Sequence, residues 1–114
     1  MIEEILYQFL KTKMDVEVYT EIPPKPKPEY IVIERTGGSE RNKIRHATVA
    51  IQSIGKTLLR AVEINEEVIK SMTSDDGIIA INEIFGCYLN SDYNFTDPET
   101  KNYRYQAVFD ITYH

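Results

Sequence analysis

Apolar residues at Ile2, Ile5, Leu6, Phe9 and Leu10 recur every three or four positions, the spacing of one helix face. Glu3 and Glu4 lead this stretch and Lys11 and Lys13 close it, which complements the helix dipole. An amphipathic helix is therefore expected over residues 1–13. The period then changes. Val16 and Val18 alternate with Glu17 and Tyr19, a short strand. The run Pro23-Pro24-Lys25-Pro26-Lys27-Pro28 cannot donate into a sheet ladder and reads as a stiff, extended connector of roughly 3 Å per residue.

"YIVIERT" (30–36) and "HATVAIQSI" (46–54) are rich in β-branched residues, so they predict a hairpin whose Gly-Gly segment forms an extended polar tip. Leu58, Ala61, Val62, Val68, Ile69 and Met72 share a helical stripe from about Lys56 to Met72, with Asn65 as a mild interruption. Asp75-Asp76-Gly77 marks a turn, and "IIAINEIFGCYLN" (78–90) reads mostly as strand with a kink or bulge near Gly86. The cleanest strand comes last: Tyr103, Tyr105, Ala107, Phe109 and Ile111 alternate with Arg104, Gln106, Val108, Asp110 and Thr112. The order α-β-β-β-α-β-β predicts an α+β fold, a mostly antiparallel sheet of about five strands with two helices packed on one face.

At 114 residues the chain suits one domain, 1–114, able to bury a core without disulfide or metal. The single Cys87 allows no internal disulfide and fits a reducing cytoplasm. Glu3 and Glu4 stand where a signal peptide carries positive charge, and no apolar run approaches membrane-spanning length. A net charge of −5 argues against a general nucleic-acid binder. That charge is unevenly spread. Residues 34–46 hold four cations (Arg35, Arg41, Lys43, Arg45) against two acids (Glu34, Glu40), a local +2 that leaves −7 elsewhere. A cationic hairpin on an acidic body suits docking onto an acidic surface; an ordinary solvated loop tip is the plain alternative.

Catalytic chemistry finds little footing. Gly55-Lys56-Thr57 resembles the end of a phosphate loop, but the glycine required five positions earlier is Ala50, inside a strand. Ser53 or Thr57 is better read as a helix cap, with Gly55 giving the backbone freedom to turn. No helix start follows Gly37-Gly38 closely enough to cradle a phosphate. The only histidines, His46 and His114, pair with no positioned nucleophile, and Cys87 lies in an apolar run. No His or Cys pair has ligand spacing. Asn90, Asp92, Asn94 and Asp97 lack the EF-hand pattern, so Asn90-Ser91-Asp92 and Thr96-Asp97-Pro98 read as turn formers. No catalytic residue, cofactor or metal is expected. Eight tyrosines and no tryptophan suit a core or a protein interface, whereas Arg104 and Lys101 are too few cations for stacking on single-stranded nucleic acid.

Two long segments carry a family likeness. "VEVYTEIPPKPKPEYIVIERTGGSERNKIRHATVAIQSIG" and "LNSDYNFTDPETKNYRYQAVFDITYH" resemble the tail terminator (tail completion) proteins of long-tailed bacteriophages and prophages, also labelled minor capsid or head-tail joining proteins. The likeness spans nearly the whole chain and is most specific in Asn94-Phe95-Thr96-Asp97-Pro98 followed by Tyr103-Arg104-Tyr105-Gln106. It implies a non-enzymatic part of the virion, assembled in the host cytoplasm. The expected assembly is a homo-hexameric ring that caps the tail tube, meets the head connector, and lets DNA pass through its lumen without specific binding. Ring closure needs unlike patches on each subunit. The expected contacts are Arg35, Arg41, Lys43 and Arg45 on the hairpin, with Tyr93 and Phe95 as a second patch. Another neck protein (head completion or connector component), or a small nucleic-acid-binding module, are the alternative readings.

Overall fold

A computed structural model describes residues 1–100 and 102–114. Its elements are α1 (Ile2–Lys13), β1 (Glu17–Tyr19), β2 (Tyr30–Arg41), β3 (Ile44–Ile54), α2 (Leu58–Thr73), a 3-10 turn (Ile78–Ala80), β4 (Ile84–Asn94) and β5 (Arg104–Tyr113). This is the expected α+β order. The strands form one sheet in the order β1-β2-β3-β5-β4.

The sheet is mixed, not mostly antiparallel as expected, because β1 and β2 run parallel while the other neighbours are antiparallel. The proline-rich connector explains this. Too stiff for a tight turn, it carries the chain back along the three-residue β1 before β2 begins. Its end is fastened: Glu29 accepts from Arg60 Nε at 3.0 Å and from the Lys56 backbone N–H at 3.2 Å. Lys27 N–H donates to the Tyr19 hydroxyl at 3.2 Å.

Side-chain alternation sorts the sheet into two faces. One carries Ile31, Ile33, Val49, Ile51, Ala107, Phe109 and Ile111, and both helices pack against it through Ile2, Leu6 and Leu10 of α1 and Ile64, Val68 and Met72 of α2. Phe109 is fully buried at its centre. The other face carries the buried Tyr30, Ala50 and Ile54 at one end and a polar ladder, including Gln52 donating to Gln106 at 3.2 Å. Asn65 proves to be a buried member of the α2 stripe, its Nδ2 reaching Asp92 Oδ1 at 3.5 Å.

Several local expectations change. The Gly-Gly segment is strand, not loop: β2 and β3 pair from Tyr30↔Ile54 out to Arg41↔Ile44, with one bulge at Thr36. Only Asn42 and Lys43 form the turn, both at positive φ (53° and 65°), the conformation that matches hairpin twist. Residues 78–83 do not join the strand; Ile78 turns inward on the 3-10 segment and β4 starts at Ile84. The Gly86 region does bulge, at Phe85, and a second bulge falls at Asn90. Asn90-Ser91-Asp92 consequently lies within β4, not in a turn. Thr57 caps α2, accepting from Arg60 N–H at 3.1 Å, while Ser53 is a buried β3 residue. Gly55 is needed for close approach, not conformational freedom, since a Cβ there would stand 2.5 Å from the Ala61 nitrogen.

Candidate docking surfaces

The hairpin cations divide by face. Strand register puts Arg35 and Arg45 on the helix side and Arg41 on the open side. Arg35 approaches Glu3 of α1 at 3.7 Å. Arg45 donates to Glu40, its cross-strand neighbour, at 2.7 Å, a contact that raises its guanidinium above the ordinary value. Arg41 and Lys43 have no carboxylate within ion-pair distance among the described residues. The predicted local +2 is thus concentrated on the turn itself.

That turn closes a continuous paired ladder. β3 pairs with β5 as far out as Arg45↔Tyr113, so the hairpin is built into the sheet and only its last rung stands beyond β5. The outer edge of β2 past Val32, where pairing with β1 ends, faces no other strand among the described residues. β4 is the opposite edge. Both edges carry bulges and charged or polar side chains, devices that discourage indiscriminate strand addition.

Tyr93 and Phe95 lie at the other end. Asn94↔Tyr105 and Arg45↔Tyr113 are eight β5 residues apart, roughly 26 Å at strand spacing. The two predicted patches are therefore separate surfaces on a body 45 Å long. Tyr93 and Phe95 meet edge to face at 6.1 Å, and Arg104 stacks over Phe95 at 4.8 Å. Gln106 donates to the Tyr93 hydroxyl. The loop beyond is braced by Asn94 accepting from Thr96 N–H and Asp97 from Glu99 N–H, so both rings are partly engaged by their own loop while about 40% exposed. Lys101 lies outside the described residues.

Sequence reasoning missed a cluster on the open face. Asp110, Thr48, Asn90, His46, Thr112 and Tyr88 come together from β3, β4 and β5. Alternation along β5 puts Asp110 on the face opposite Phe109, but cross-strand register, fixed by two bulges, decides what it meets. Cys87, on the inner side, is buried, and its thiol is pushed up to about 12 by burial with Asp110 adding. Among the described residues no group of three His, Cys, Asp or Glu side chains gathers as metal ligands. No helix among them is long and apolar enough to cross a membrane. In comparisons with known proteins, no family model and no curated protein matched the chain.

Proposed function

We propose that this chain is a structural subunit of a long-tailed phage or prophage, a tail terminator acting as a homo-hexameric ring at the head–tail junction of the virion. The observation that carries the reading is the hairpin turn. It holds two cations, Arg41 and Lys43, without an ion-pair partner among the described residues, at the rim of a body whose remaining charge is negative. Such an arrangement joins unlike patches on successive subunits, the requirement for a ring. Complementary charge also sets the register of that contact.

In this reading one face of the ring meets the tail tube protein and ends its polymerisation, and the other meets the head connector. The Tyr93–Phe95 end, far from the turn, supplies a second surface of the kind such partners use. DNA passes through the lumen without specific binding, because an acidic chain neutralises few phosphates. Electron microscopy of the purified chain tests the reading. Closed six-membered rings with a central hole are expected; open filaments or two-fold dimers would overturn it.

A further inference from the structure

Asp110 stands on the open face opposite Thr48 on β3 and Tyr88 on β4. Its Oδ1 accepts from Thr48 Oγ1 at 3.3 Å and its Oδ2 from Asn90 Nδ2 at 2.9 Å. A carboxylate offers about four lone-pair sites, so roughly half its capacity still faces outward. No cation among the described residues lies within ion-pair distance of it. Two neutral hydrogen bonds thus fix an exposed charge in orientation without neutralising it.

Beside it lies a recess of about 400 Å³ lined by Ser39, His46, Thr48, Tyr88 and Thr112. Tyr88 is 68% exposed, yet its ring lies back along β4 because position 86 is glycine; a Cβ there would stand 3.0 Å from Tyr88 Cε2. A fixed carboxylate next to an aromatic wall is a receptacle for a guanidinium or ammonium group.

We propose that this recess receives the Arg41–Lys43 turn of a second copy of the chain. The proposal rests on the ring reading and supplies its missing half, the surface that the cationic turn meets. Within one chain the turn does not engage the Asp110 carboxylate: no ion pair joins Arg41 or Lys43 to it among the described residues. Arg41 pairs with Ile44, four residues along β3 from Thr48, roughly 13 Å away along the strand. The acidic run Glu63, Glu66 and Glu67 on α2 is exposed helix flanked by Arg60 and Lys70 at helical spacing, an ordinary solvated face.

The test uses two lesions and their mixture. Arg41→Ala/Lys43→Ala removes the turn's charge, and Asp110→Lys blocks the recess. Light scattering should show each alone as a single 13.2 kDa copy, with association weakened at least roughly 100-fold. Mixed one to one, they should form a dimer of two copies, joined by the intact turn of one and the intact recess of the other. Far-UV circular dichroism checks the fold. If Asp110→Lys fails to fold, Tyr88→Ala, which removes only the aromatic wall, takes its place. Folded recess variants that assemble like wild type would overturn this inference and leave the ring standing. A wild-type chain that never self-associates would overturn both.

Discussion

Lys43 is a residue that the fold alone would not choose. It occupies the second position of a two-residue turn at φ 65°, where an L side chain other than asparagine or aspartate costs about 1–2 kcal/mol. Glycine would remove that cost, while its greater freedom in the unfolded chain takes back about 0.5–1 kcal/mol. Lys43→Gly should therefore stabilise the monomer by about 0.5–1 kcal/mol, a rise of several degrees in Tm for a domain of this size. The same change deletes one of the hairpin's two cations that lack an ion pair among the described residues and should weaken self-association. Fold and assembly should move in opposite directions. Urea unfolding belongs at high dilution, where association adds no stability, and light scattering at high concentration. A variant less stable than wild type would refute the backbone reasoning. Stabilisation with unchanged assembly would refute the docking role of Lys43.

Three further outcomes follow from particular side chains. Burial acts to raise the Glu29 carboxyl, but hydrogen bonds from Arg60 and the Lys56 N–H, with their charges, outweigh it and hold the group below its ordinary 4.5. Its contribution is thus complete above pH 4.5 and lost as pH falls through the lower folded value, so urea titrations from pH 6 to 3 should show a shallower loss for Glu29→Gln; an identical slope would refute the link. The Cys87 thiol, at about 12, should resist a thiol reagent at pH 8 in the native protein and react once unfolded; prompt native labelling would contradict its burial. Ser53 Oγ is buried without a hydrogen-bond partner among the described residues, and an unsatisfied buried hydroxyl costs about 1–3 kcal/mol. Ser53→Ala should leave stability unchanged or raise it by about 1 kcal/mol in urea unfolding, and a clear loss would reveal a bond the hydroxyl makes.

The helices were legible because their signal is local. The stripes on α1 and α2 need only a 3.6-residue period, and Thr57 announces its own cap. The β5 alternation was equally plain, and Ala107, Phe109 and Ile111 of one of its two series are the buried ones. What the sequence hid depends on partners. Gly37-Gly38 has loop composition, yet the tight Asn42-Lys43 turn keeps both strands in register through it. "IIAINE" has strand composition, but its first residue is drawn into the core by a 3-10 turn. A three-residue β1 gains its parallel direction only from where the connector delivers β2.

The same divide runs through the candidate surfaces. The cationic hairpin could be counted from composition, but which cations remain unpaired required Glu3 and Glu40 in place. The Asp110–Tyr88 recess was illegible, since two bulges in β4 set who faces whom.

The mass of the wild-type chain in solution bears most directly on the ring. Light scattering across a wide concentration range should resolve a discrete species of six copies of the 13.2 kDa chain, with no growth beyond it. A mass of one copy at every concentration, or one that climbs without limit, would contradict the ring.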